Sequence, residues 1–154
     1  MTRLLTKSLL AISGALLGGI GGSLLIAPRA FLEMSHIHLA PDPSLLSEVS
    51  APGGILIVTA VLMILGSIKA RFTNLALVAG ALVYGSYGIS RLVSMTINGL
   101  PTDSLIVATV IELSVAVILV ALKLRSPLRH NETKPARVSL NYMERSTFTP
   151  SGRG

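Results

Sequence analysis

Four long apolar runs dominate the chain, and each is about as long as a membrane is thick. The first extends from Ser8 to Ala27 without a charge, and the second from Ala51 to Ile68, ending at Lys69 and Arg71. The third begins at Asn74, stays apolar to Ser90 and continues past Arg91 to Ile97; the fourth covers Leu105 to Leu122, broken by Glu112. About 20 apolar residues cross the hydrocarbon core as a helix. Inside hydrocarbon every backbone N–H and C=O must be paired, which leaves helices or closed barrels. Barrel strands alternate polar and apolar residues, and these runs do not. The expected fold is therefore all-α, an antiparallel four-helix transmembrane bundle over residues 1–124, with helices at about 8–27, 45–68, 74–97 and 104–124. Residues 125–154 are polar, carry Pro127, Pro135 and Pro150, and read as a disordered basic cytoplasmic tail.

Composition excludes several function classes. Charged residues make up 13% of the chain, against about 25% in soluble domains, which argues against a water-soluble enzyme, a disordered chain or a nucleic-acid partner. The chain has no cysteine, so thiolate catalysis, iron–sulfur ligation and cysteine zinc sites are impossible within it. None of His36, His38 and His130 lies in an apolar run, which excludes a haem held between membrane helices by two histidines. Seven acidic residues, without Glu-x-x-His pairs on helices, exclude a carboxylate di-iron site. No nucleophile–base set or metal cluster is legible, so the chain reads as a non-enzyme without cofactor or metal.

Arg3 and Lys7 ahead of the first run give it the outline of a signal peptide. Its 20 residues exceed the 7–15 of a secretory apolar region, and Pro28 stands where cleavage would fall, so it reads as a retained helix. Orientation follows from Lys and Arg outside the spans. Arg3 and Lys7, Lys69 and Arg71, and seven in the tail make eleven on one side; Arg29, and Arg91 if counted, make two on the other. Both termini are expected in the cytoplasm of a bacterial inner membrane, with loops 28–50 and 98–103 outside. Residues 98–103, Asn-Gly-Leu-Pro-Thr-Asp, read as a helix–turn–helix connector, because Asn98 and Gly99 tolerate the left-handed conformation and Pro101 prevents continuation. Thr102, Asp103 or Ser104 then caps the last helix. The loop over 28–50, with Pro28, Pro41 and Pro43, is expected to pack over the outer mouth.

Arg91 and Glu112 are the most informative residues. A charge near mid-membrane costs at least ~2.5–3.5 kcal/mol, so it faces protein or water and takes a partner. Arg91 precedes Asn98 by seven residues and Glu112 follows Ser104 by eight, which at 1.5 Å per residue puts them about 10 and 12 Å from the shared turn. They are level across a hairpin. Tyr87, Arg91, Ser94 and Asn98 form one polar stripe at i, i+4, i+7 and i+11. Ala108, Thr109, Glu112 and Ala116 form a small and polar stripe opposite. Glu48, at the outer start of the second span, is expected to join Arg91 and Glu112 in the outer half of the membrane. Gly14, Gly18 and Gly22 repeat at four-residue spacing, a tandem GxxxG that permits close backbone approach. Packing within the bundle is the preferred reading, ahead of homodimerisation. His36 and His38 with Asp42 are weighed as a weak metal site and set aside as a solvated loop.

Glu48-Val-Ser-Ala-Pro-Gly-Gly54, Gly88-Ile-Ser-Arg91 with Ser94, Asn98-Gly-Leu-Pro101 and Glu112 together resemble the small bacterial membrane proteins grouped as the DUF4345 domain. The resemblance covers about residues 8–124 and implies a four-helix membrane fold with no assigned activity. It also implies a basic residue at position 50, where this chain has Ser. The architecture is similar to the DoxX-like four-helix proteins.

Two readings of the Glu48, Arg91 and Glu112 cluster stand level. One is a structural ion pair that fixes helix register. The other is an outward-facing polar pocket for a lipid headgroup or quinone-type oxygen in a non-enzymatic binding or accessory protein, with a small proton-linked carrier using Glu112 as the alternative. Membrane lipid, a membrane-protein partner or a second copy of the chain are the partners these readings require.

Overall fold

The computed structural model describes residues 2–125, and the sequence reading of the basic tail lies outside them. Five helices follow one another: α1 (Thr2–Ile26), α2 (Pro28–Glu33), α3 (Pro43–Ile68), α4 (Ala70–Asn98) and α5 (Asp103–Arg125), with no strand among the described residues. The four long helices are each long and apolar enough to cross a membrane, and the chain is a multi-pass membrane protein.

Local chemistry sets the boundaries. Arg3 and Lys7 are good helix formers with no breaker near them, so α1 begins at Thr2 and carries both. It ends where Pro28 forces Ala27 out of helical geometry, to φ −142° and ψ 58°. Pro28 then opens α2, which closes through backbone bonds from His36 N to Glu33 O (2.9 Å) and from Ile37 N to Leu32 O (3.1 Å). That pair is a Schellman motif, and its left-handed position is filled by His36 at φ 60° rather than by glycine. Asp42 caps α3 by accepting from Ser44 N at 2.6 Å and Leu45 N at 3.2 Å, with Pro43 in the first turn. The second span thus starts before Leu45, and Glu48 is already helical.

A five-residue loop over 69–73 is absent: Lys69 alone, at φ −105° and ψ 112°, separates α3 from α4. Gly66 makes this tight reversal possible, because Thr73 Oγ1 donates to its carbonyl at 2.8 Å and a Cβ there would meet Phe72 O at 3.3 Å. Arg71 stays helical by lying over the Phe72 ring, 4.4 Å from its centroid.

The helices pack serially and antiparallel, α1 on α3, α3 on α4 and α4 on α5, with a smaller α1–α4 contact. Water does not drive this association inside a bilayer; close packing of small residues does. Along α1, Leu10, Gly14, Leu17, Gly21 and Leu24 are buried at alternating spacings of four and three, a heptad seam facing α3. Cβ atoms at Gly14 and Gly18 would lie 3.1 Å from Met63 Cβ and 3.3 Å from Ala60 Cβ, respectively. Gly21 and Gly53 approach each other closest, a Cβ on either falling 2.8 or 2.7 Å from the other's carbonyl oxygen. Gly22 is a correction to the four-residue repeat: nothing lies within 4 Å of a Cβ there, because the seam advances to Gly21. Gly80 admits Met63 from α3 and Leu119 from α5. Tyr84, 4% exposed, ties α4 to α1 by donating its hydroxyl to Ser13 O at 2.7 Å.

Candidate functional site: the Arg91–Glu112 pair

The α4–α5 connection fixes the geometry of this end. Gly99 adopts φ 89° and ψ 178°, a conformation confined in practice to glycine. The Thr102 carbonyl then accepts from Leu105 N (2.9 Å) and Ile106 N (3.2 Å), which makes Thr102 the residue that caps α5 from just outside it. Two helices joined by four residues, 99–102, run back along each other. Gly88 sets their separation, since a Cβ there would sit 2.7 Å from Leu113 Cγ and Cδ2.

One turn from Gly88, Arg91 Nε lies 3.0 Å from Glu112 Oε2 and 3.3 Å from Oε1. The side chains are 33% and 14% exposed respectively, so neither is sealed from its surroundings. Nε carries one N–H, shared between the carboxylate oxygens. The two terminal guanidinium nitrogens have no acceptor among the described residues. They retain four N–H donors in a planar fork suited to carbonyl or phosphate oxygens.

Arg91 is also one of the residues lining an open cleft of about 250 Å³ between α4, the 99–102 turn and the first turn of α5. Ser94 and Asn98 stand on its α4 wall, where Asn98 Nδ2 donates to Ser94 Oγ at 3.2 Å. Leu100, Pro101 and Leu105 supply the apolar side. Polar donors against an apolar wall match a molecule with an oxygen-bearing end and a hydrocarbon body.

The structure brings Arg91 and Glu112 together and puts Ser94 and Asn98 beside them. Tyr87 is half-buried against the core one turn below Arg91 and makes no hydrogen bond to the pair. Glu48 does not join them; exposed near the start of α3, it has no ion pair or hydrogen bond among the described residues. The physical reason is that Arg91 turns toward α5, whereas α3 meets α4 along Gly66, Ala76 and Gly80. Pro52 lies four residues after Glu48 inside α3 and lacks an N–H, so the Glu48 carbonyl also has no helical donor. Residues 28–50 supply nothing to the cleft; α2 leans on α1 and α3 instead. Asp42 is committed to its cap, and among the described residues no three His, Asp or Glu gather to hold a metal. Tyr84 is what the sequence reading missed. Its signal was the face Gly80, Tyr84, Gly88 and Arg91, spaced by four, four and three.

Comparison with known proteins gives one match. The family model for a domain of unknown function, DUF4345, covers residues 5–123. No curated protein and no solved structure matches the chain.

Proposed function

The chain belongs to the DUF4345 family, and on that premise we propose that it is a non-enzymatic binding protein for a membrane amphiphile of the lipid or quinone type. The oxygen-bearing end of the ligand sits against the free side of Arg91, and its hydrocarbon body runs past Leu105. The observation that carries this reading is the division of labour within one guanidinium: Nε is taken by Glu112, while the terminal nitrogens of this cleft-lining residue have no acceptor among the described residues. A pair serving helix register alone would have no use for four donors left without an acceptor beside a cavity. Ion pairing cancels the formal charge, so the pocket suits a neutral carbonyl or zwitterionic headgroup. The eleven-to-two division of Lys and Arg supports both termini in the cytoplasm of a bacterial inner membrane, with the cleft in the outer half.

Native mass spectrometry of the full chain, extracted in mild detergent, tests the reading with two probes, a short-tailed benzoquinone and phosphatidylethanolamine. The expected result is retention of one of them by the natural chain and its loss in the double variant Arg91→Gln, Glu112→Gln, which keeps shape without charge. Retention by the double variant, or by neither form, overturns the proposal and leaves the pair as a register device.

A further inference from the structure

At the opposite end of the helices, a second groove faces outward between α4 and α5. Its volume is about 230 Å³ and its floor is Leu77, 1% exposed. Ala81 contributes only a methyl group, while Leu82, Val120 and Leu124 stand as exposed walls. Lys123, in the last turn of α5, lines the groove with its aliphatic stem.

Lys123 differs from an ordinary flanking cation in two ways. It is half-buried in the groove rather than fully splayed into solvent, and it has no acceptor among the described residues. Its surroundings are of one sign. Arg3 and Lys7 on α1, Lys69 and Arg71 at the α3–α4 reversal, and Lys123 and Arg125 on α5 all lie at this end. The acidic residues among those described, Glu33, Asp42, Glu48, Asp103 and Glu112, belong to the other half. An ammonium with no acceptor among the described residues, on a stem that lines an apolar groove, at an end whose described charges are all positive, is complementary to a phosphate that carries an acyl chain.

We propose that the α4–α5 groove is a specific site for an anionic phospholipid, with one acyl chain between Leu82 and Leu124 and the headgroup phosphate on the Lys123 ammonium. This site is separate from the Arg91 cleft and does not depend on it. The groove spans five helical rises, from Leu77 to Leu82, or about 8 Å, enough to hold the first carbons of the chain and fix the headgroup position.

Native mass spectrometry of the full chain in mixed micelles tests the site, with phosphatidylglycerol and phosphatidylcholine of identical chains in competition. The natural chain should retain phosphatidylglycerol about fivefold over phosphatidylcholine, the factor contributed by one cation near the surface. Lys123→Gln should abolish the preference and Lys123→Arg should keep it. Ala81→Leu, which fills the groove and leaves every charge in place, should lose the bound lipid. Lys7→Gln should change neither. Equal retention of the two lipids, an unchanged preference in Lys123→Gln, or undiminished phosphatidylglycerol in Ala81→Leu overturns the proposal. Loss of the preference in Lys7→Gln does so too, because it would mark a diffuse basic belt.

Discussion

Arg91 meets Glu112 through its inner nitrogen, with Nε 3.0 Å from Oε2, so the two terminal nitrogens stay without an acceptor among the described residues. Register and recognition are thereby assigned to different atoms of one side chain. Glu112 holds the plane of the guanidinium, and a held plane presents its remaining donors at lower entropic cost.

Removing either charge strands the other in a partly apolar setting. Arg91→Leu and Glu112→Leu should each lower stability by about 2 kcal/mol, the scale of a hydrogen bond to a charged group. The double variant should lose less than the sum, and the exchange Arg91→Glu, Glu112→Arg should recover most of the loss. Thermal unfolding in detergent with a double-mutant cycle measures the coupling.

Two adjacent glycines, Gly21 and Gly22, should behave oppositely. Gly21→Ala drives a methyl into the Gly53 carbonyl, 2.8 Å away, and should cost about 1–3 kcal/mol. Gly22→Ala meets open space and should gain as much as about 1 kcal/mol from helix propensity. Comparable losses in the two variants, read as unfolding midpoints, would contradict the seam through Leu10, Gly14, Leu17, Gly21 and Leu24.

Gly88→Leu should separate α5 from α4, because even a Cβ falls 2.7 Å from Leu113. Cross-linking between cysteines introduced at Ser94 and Leu105, on facing walls of the cleft, should report the widening. Leu113→Ala in the same chain should restore the yield by vacating the space the new side chain needs.

Tyr84→Phe removes one hydrogen bond to Ser13 O and leaves the ring packed. Interhelical hydrogen bonds in membranes average about 0.6 kcal/mol, so the expected effect on the unfolding midpoint is small. Tyr84→Ala, which empties a buried site, should cost about 3–5 kcal/mol.

His36→Gly should relieve the left-handed strain at the end of α2, worth about 1 kcal/mol. Hydrogen exchange at the Ile37 amide, which donates to Leu32 O, should slow accordingly. Exchange unchanged or faster would mean that the imidazole itself holds the turn.

The number of membrane spans, the 98–103 turn and the Arg91–Glu112 pairing are legible because each rests on a local rule: span length, turn chemistry, and the rarity of unpaired charge in hydrocarbon. Three features were not legible, for different reasons. The α3–α4 reversal was read as a loop from Lys69 and Arg71, yet Arg71 stacks on Phe72 and the turn depends on Gly66, three residues earlier. The four-residue repeat picks out Gly22, whereas the seam follows a seven-residue period from Leu10 to Leu24 and passes through Gly21. Glu48 was brought to the cluster on depth alone. Depth fixes the level of a residue but not the direction it faces, and α3 and α5 lie on different sides of α4.

The four-residue link between α4 and α5 has a bearing on biogenesis. A ribosome delivers Arg91 to the translocon well before Glu112, so the penultimate span emerges with an uncompensated cation that resists partition into lipid. The final span cancels it, and the two segments are most readily released sideways together, as a neutral hairpin. A chain stopped after Asn98 should therefore be retained at the insertion channel longer than one extended past Glu112.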